Sequence, residues 1–212
     1  LPAGRFSVLF INRVIGEKLK QLQQNLRTGK LSLVEIPKPS LSPTEVLIKT
    51  EASLISPGTE KMLMEFGNSN LLGKAISQPD RLKEALDKAR VDGVFPTLQS
   101  ALNKLDTPIP LGYCNAGTVI EIGENITDLN VGDRIASNGP HAEIVAVPRN
   151  LCAKIPQTVT SEEAAFTPLA SIALQGIRLL NPTFGEIFTV YGLGLVGLLT
   201  VQLLLKNGCK VI

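Results

Sequence analysis

The sequence has no tryptophan and only two tyrosines, and aromatic residues make up 4% of it. Single-strand and RNA binders stack bases on such rings, so their scarcity removes that class. There is one histidine, His141, which excludes a His-rich metal centre and any dyad that needs two histidines. The three cysteines, Cys114, Cys152 and Cys209, are scattered and show no C-x-x-C spacing. That pattern argues against a disulfide framework and against a Cys-only zinc site. A reducing, cytoplasmic compartment is the simple reading. A formal charge of +2 is too small to attract nucleic acid or an anionic membrane.

Long apolar runs are also scarce. The run Phe6–Ile11 is interrupted by Ser7 and ended by Asn12, too short for a signal-peptide core or a membrane span. The one longer stretch, Ile187–Leu205, covers 19 residues but holds three glycines and Gln202. It reads as a buried strand followed by a buried helix face.

What is present describes a soluble globular chain with a core: 212 residues, 44% apolar and 19% charged. Gly and Pro are somewhat enriched, as suits short strands and many turns. A hairpin is expected from strand 21–27, the Thr28-Gly29 turn and strand 31–36. A longer strand follows over 45–55. Ser56-Pro57-Gly58-Thr59-Glu60 then reads as a turn that hands over to a helix at about 60–66. Two more helices are expected, one from Pro79-Asp80 to Gly93 and one from Leu98 to Leu105. From 111 the pattern returns to β, with a strand over 116–123, a tight turn into another strand over 131–136, and strands over 142–147 and 151–155. Their short lengths and Gly-Asp turns suggest a compact barrel-like β domain. Thr160 or Ser161 can cap the next helix, whose Glu162-Glu163 pair complements the dipole. That helix is expected to run to Leu180 with a break near Pro168.

The sharpest local signal is Gly192-Leu193-Gly194-Leu195-Val196-Gly197, a G-x-G-x-x-G motif. It follows an apolar strand over 187–191 and opens an apolar helix over 195–206, the context the motif demands. Gly192 would allow the tight turn, Gly194 would let a pyrophosphate approach the backbone, and Gly197 would let helix and strand pack closely. Free N–H groups at the helix start would meet the phosphates. A glycine-rich strand-to-helix turn without a ligand is the alternative. Only 26 residues run from Ile187 to Ile212, whereas a βαβ unit needs roughly 30. The acidic residue that reads the ribose, about 20 positions after the glycines, falls beyond Ile212. The expectation is the front part of a longer protein, carrying the phosphate turn but not the choice between NAD and NADP.

Several segments together resemble the medium-chain dehydrogenase/reductase superfamily, the zinc-type alcohol-dehydrogenase-like proteins with a GroES-like N-terminal domain. They are Pro110-Leu111-Gly112-Tyr113-Cys114-Asn115-Ala116-Gly117-Thr118-Val119, Val131-Gly132-Asp133-Arg134-Ile135, Ala142-Glu143 with Val147-Pro148, Glu162-Glu163-Ala164-Ala165, and the glycine turn. Ser53-Leu54-Ile55-Ser56-Pro57-Gly58-Thr59-Glu60 and the insert 68–106 narrow the resemblance. They are similar to the N-terminal half of two-part oxidoreductases whose other half is sugar-dehydrogenase-like (Gfo/Idh/MocA), often in polysaccharide biosynthesis. The implied fold is mixed α/β: a leader at 1–20, a GroES-like β-barrel domain at 21–160 with a helical insert at 68–106, and the truncated start of a Rossmann domain at 161–212.

The departures from the family pattern bear on chemistry. Zinc-dependent members place a Cys before a Gly-Thr/Ser-Asp turn, then Gly-His-Glu, then a later Cys or Glu. Here the first place is Ser56-Pro57-Gly58-Thr59-Glu60, the second is Gly112-Tyr113-Cys114, and Phe166–Ala170 offers no ligand. Zinc needs about three or four converging N, S or O ligands, so no zinc is expected and no metal residue is assigned. The resemblance then implies a zinc-free oxidoreductase in which NAD or NADP performs the redox step on a carbonyl, alcohol or sugar-derived small molecule. Thr59 stands where zinc-type members carry a proton-relay hydroxyl, though it can equally stabilise its turn. Tyr113 stands at the metal-binding His and could donate a proton, or simply pack. Cys114 reads as a small buried hydrophobe. Asn115 either orients a polar ligand or completes a turn. Glu60 is expected to cap or begin a helix, and His141, in a loop, to be a surface residue. The competing reading is a non-catalytic binding module supporting a fused C-terminal partner domain. Neither reading involves nucleic acid or a membrane, and the oligomeric state, a homo-oligomer included, stays open.

Overall fold

The computed structural model describes residues 18–68 and 106–212. The expected helices over 79–93 and 98–105, and most of the leader, lie outside the described residues. In chain order the elements are β1 (Lys18–Gln24), β2 (Leu31–Pro37), β3 (Glu45–Ser53), α1 (Pro57–Asn68), β4 (Ile109–Pro110), β5 (Asn115–Ile122), β6 (Arg134–Ser137) and β7 (Ile144–Pro148). A 3-10 turn (Arg149–Leu151), β8 (Cys152–Lys154), α2 (Ser161–Ala164), α3 (Thr167–Leu180), β9 (Ile187–Phe188), α4 (Leu195–Lys206) and β10 (Lys210–Val211) complete them. The chain is mixed α/β, with two antiparallel sheets and one parallel strand pair among the described residues, and its residues group into two units.

One unit holds a three-stranded sheet of order β2-β1-β4 together with α1. The expected hairpin is present, paired from Lys18↔Pro37 to Gln24↔Leu31. Its first strand lies three residues earlier than expected. Asn25 is the reason: its side-chain Oδ1 accepts the backbone N–H groups of Arg27 and Thr28 at 3.0 and 2.9 Å. A strand cannot continue through a residue that claims those donors. Helix α1 also starts earlier, at Pro57, so the expected turn is its first turn. Proline tolerates that position because its missing N–H would be unbonded there anyway. The buried Glu60 carboxylate accepts the Ser56 N–H at 2.8 Å, so of the two expected roles Glu60 takes the cap and Pro57 the start.

The other unit, Lys38–Ile55 with Gly112–Ile212 among its described parts, is built on a five-stranded antiparallel sheet of order β7-β3-β5-β6-β8. β3 lies inside the sheet between β7 and β5, and its Val46, Leu47 and Ile48 in succession are fully buried. A run without alternation is what a strand covered on both faces requires. Each such side chain contributes about 1.5–3 kcal/mol by leaving water. β3 ends at Ser53 rather than 55, where its pairing with β5 stops at Asn115.

The helix expected over 160–180 is two helices. Thr160 and Glu163 form a reciprocal capping box for α2, with Glu163 N–H donating to Thr160 Oγ1 and Thr160 N–H to Glu163 Oε2. α3 begins just before Pro168, whose ring is compatible only with a first turn.

Glu51 ties the sheet to α2. Burial raises its carboxyl pKa. Hydrogen bonds from Ser161 and Thr118, with Arg134 and Lys49 nearby, outweigh that and hold it below its ordinary value of 4.5. A lowered pKa gives stability that is present above the unfolded value and lost as pH falls through the folded one. Glu51→Gln should therefore lower the melting temperature at pH 7 and make little difference well below pH 4.5. Thermal melts of both proteins across that range check this, and equal penalties at both ends would refute it.

No helix among the described residues is long and apolar enough to cross a membrane. The apolar stretch 187–205 divides into strand, turn and helix. β9 pairs in parallel with β10. Regular strand covers only Ile187–Phe188 of the expected 187–191, but the pairing continues through Val190 N–H to Ile212 O at 3.0 Å. α4 spans 195–206 as expected and ends in a Schellman arrangement: Gly208 N–H bonds Leu205 O and Cys209 N–H bonds Leu204 O.

Candidate functional site

The glycine turn joins β9 to α4. Gly192 has φ +95°, a conformation that side chains rarely adopt. Gly197 is excluded from carrying a side chain for a different reason. A Cβ there would lie 1.9 Å from the Gly192 carbonyl oxygen, so the helix packs on its own turn with no room for a methyl group. Gly194 is the N-cap of α4, and a Cβ there would meet nothing within 4 Å. Nothing in this unit requires a glycine at 194 for packing, and the open space lies directly over the helix N-terminus. The first N–H groups of a helix have no intrahelical acceptor, and they carry the positive end of its dipole. Gly194 supplies no side chain to cap them. Leu193 and Val196 are exposed and Leu195 is half-buried. The turn therefore offers backbone donors and apolar flanks, which suits a pyrophosphate with an adjoining ring system.

The helix that follows the turn packs into the five-stranded unit. Leu195 and Leu199 pack against a cluster containing Ala52, Leu54, Cys114, Ala165 and Leu169, and the half-buried Tyr113 packs against the same cluster. Tyr113 and the start of α4 thus share one apolar seat. A cavity of about 400 Å³ lies beside it, lined by Ala52, Ser53, Leu54, Phe166, Leu199 and Gln202, with Glu162 and Glu163 also in its wall. Its lining contains no cationic side chain.

The remaining sequence candidates fall as follows. Thr59 is an exposed residue in the first turn of α1, in the other unit. Cys114 is fully buried, as a small hydrophobe would be. Asn115 is neither a turn residue nor exposed to a ligand. It lies buried in β5, donates to Thr50 Oγ1 at 2.8 Å and accepts from Ser137 Oγ at 3.3 Å. His141 is not on the surface: it is 3% exposed, and its Nδ1 lies 2.9 Å from Ser53 Oγ. Its loop position misled because Gly112, at φ +91°, leaves a space that the imidazole fills. No sequence pattern spaced Ser53 and Gly112 to announce that contact. Cys152, near the 3-10 turn, has its thiol pushed up to about 11 by burial, against the opposing Arg149 charge, which makes it a poor nucleophile at neutral pH. Among the described residues no three or more His, Cys, Asp or Glu side chains are grouped to hold a metal ion.

No protein-family model matches the chain. It is 34% identical over 105 residues to D-guloside 3-dehydrogenase of Escherichia coli, an alignment covering 48% of this chain and 30% of that protein. It is 25% identical over 128 residues to (R,R)-butanediol dehydrogenase of Bacillus subtilis, covering 48% and 37%. Among solved structures, an alcohol dehydrogenase of Escherichia coli in complex with NADH superposes with TM-score 0.69 at 21% identity, over 92% of this chain and 56% of that one. A zinc-binding dehydrogenase of Sinorhizobium meliloti bound to NADP gives TM-score 0.62 at 23% identity, over 92% and 56%. The chain thus spans about a third of the length of these curated relatives and somewhat over half of the solved chains. By sequence the chain is similar to sugar and alcohol dehydrogenases of the medium-chain, zinc-type alcohol-dehydrogenase-like kind, and its fold is that of such proteins.

Proposed function

We propose that this chain is the N-terminal part of a zinc-independent, NAD(P)-dependent oxidoreductase acting on a carbonyl, alcohol or sugar-derived substrate. The observation that carries the reading is the Gly192–Gly197 turn. It combines a side-chain-free approach at Gly194 with a helix start that has no cap of its own. The backbone of Leu193, Gly194, Leu195, Val196 and Gly197 would hold the dinucleotide phosphates. The bound nicotinamide would supply or accept the hydride. What the chain's own groups would do is bind, orient and hand over a proton. The Tyr113 phenol, packed against the same apolar cluster as the start of α4, would donate a hydrogen bond or a proton to the substrate oxygen. The Thr59 hydroxyl is assigned the same kind of role from its sequence place.

Metal independence is supported by the donor set at the family's metal positions, where Tyr113 and the fully buried Cys114 replace the expected ligands. That the chain is part of a larger protein is supported by the apolar surface of its last elements. Phe184, Ile187, Leu193, Leu205 and Ile212 are each between 55% and 90% exposed, apolar surface of the kind that further parallel strands and helices of a doubly wound sheet would cover. A fused C-terminal partner domain and a cytoplasmic setting in polysaccharide biosynthesis belong to the same proposal.

The test is a titration of NADH and NADPH, followed by fluorescence, on a longer chain that extends past Ile212. Saturable binding is expected. No binding at millimolar cofactor would remove the enzyme reading and leave the binding-module reading. Metal analysis of the same preparation should find no stoichiometric zinc.

A further inference from the structure

Below the Gly112-Tyr113-Cys114 segment lies the only histidine of the chain. Its ring carbons lie 2.6–2.7 Å from where a Gly112 Cβ would be, so the backbone at 112 rests flat on the imidazole. The ring itself is held by the Ser53 hydroxyl at 2.9 Å, and both residues are at least 97% buried. Ser53 is paired with Asn115 across the β3–β5 ladder. One residue further, Leu54 N–H donates to Cys114 O at 2.9 Å. The segment is therefore gripped on both sides of Tyr113: at 112 by the histidine, and at 114 and 115 by β3.

We propose that His141, anchored by Ser53, is the positioning residue for Tyr113, setting the path of the backbone at Gly112 and thereby the place of the phenol. Apolar packing alone would not need a polar ring with a hydrogen-bonded tilt. Leucine or phenylalanine would fill a similar volume but would take this hydrogen-bond partner away from the buried Ser53 hydroxyl. A planar ring of fixed orientation is what a glycine at φ +91° can lie against. Any catalytic consequence rests on the reading of Tyr113 given above, whereas the positioning itself does not.

The chain's composition makes this measurable, because Tyr113 and Tyr191 are its only tyrosines and there is no tryptophan. Tyr191 is fully exposed, and a solvated ring contributes little ordered near-ultraviolet circular dichroism. In a Tyr191→Phe background the tyrosine band then reports on Tyr113 alone. Ser53→Ala and His141→Leu are each expected to lose that band while unfolding stays cooperative. The double variant should do no worse than either single one, because the two residues act as a unit. An unchanged band in folded Ser53→Ala overturns the proposal, and that variant decides alone should His141→Leu not fold. The catalytic reading is tested separately by Tyr113→Phe in the longer oxidoreductase. Unchanged turnover there removes the role of Tyr113 in catalysis and leaves the positioning to be judged by the band.

Discussion

Gly194→Val is expected to weaken dinucleotide binding by about a hundredfold or more, close to 3 kcal/mol, while leaving the melting temperature nearly unchanged. The two halves of that expectation have separate causes. A Cβ at 194 meets no protein atom within 4 Å, and the residue's φ of −74° and ψ of −175° are open to any amino acid. Folding therefore has no reason to resist the substitution. A pyrophosphate approaching the first N–H groups of α4 would meet the isopropyl group directly, and the donors it needs would sit behind that bulk. The measurements are a thermal melt and a cofactor titration on the longer chain. Intact affinity would remove the turn's assigned role, and a large fall in melting temperature would contradict the open space found at 194.

Gly197→Ala should fail in the opposite way. A methyl group 1.9 Å from the Gly192 carbonyl oxygen cannot be absorbed by a rotamer change, because the backbone fixes the place of a Cβ and the atom it meets is itself backbone. The helix must lift from its turn or the turn must flatten. Overpacking costs typically 1–3 kcal/mol, and a backbone clash belongs at the upper end. For a chain of this size about 3 kcal/mol corresponds to a fall of roughly 6–12 °C in melting temperature. Cofactor binding should fall as well, as a consequence of the distorted turn. A melting curve that matches the unsubstituted chain would show that α4 does not pack on Gly192 as described. Comparing the two variants separates a glycine kept for ligand access from one kept for packing, although both stand in one six-residue motif.

Much of the fold was legible because its signals are local. The boundaries of α4 follow from an apolar run opened by Gly194 and closed by Asn207-Gly208. The cap at Thr160 follows from its spacing to Glu163, and the break before α3 from Pro168. The errors have local causes too. Asn25 ended β1 early by drawing two backbone N–H groups to its side chain, and Pro57 admitted a helix turn where Ser-Pro-Gly had suggested a loop. The candidate site was legible where a motif spells out its backbone, at Gly192–Gly197, and illegible where it depends on contacts between distant residues. Asn115 and His141 show this: their neighbours read as turn and loop, yet both side chains end in the core. Their partners, Thr50 and Ser53, are 65 and 88 residues away in sequence.

By itself the amino-acid sequence determined most element types, the strand–glycine turn–helix order at 187–206 and the resemblance to the alcohol-dehydrogenase-like proteins. Each of those depends on residue type, or on spacing within a few turns of chain, where sterics and hydrogen-bond reach act directly. Only the tertiary structure decided that Tyr113 packs against the same apolar cluster as the start of α4, and that the lone histidine is buried against Ser53 and Gly112. Those outcomes depend on which segments meet after folding. That is set by the burial of many side chains together, and no single stretch of the sequence encodes it.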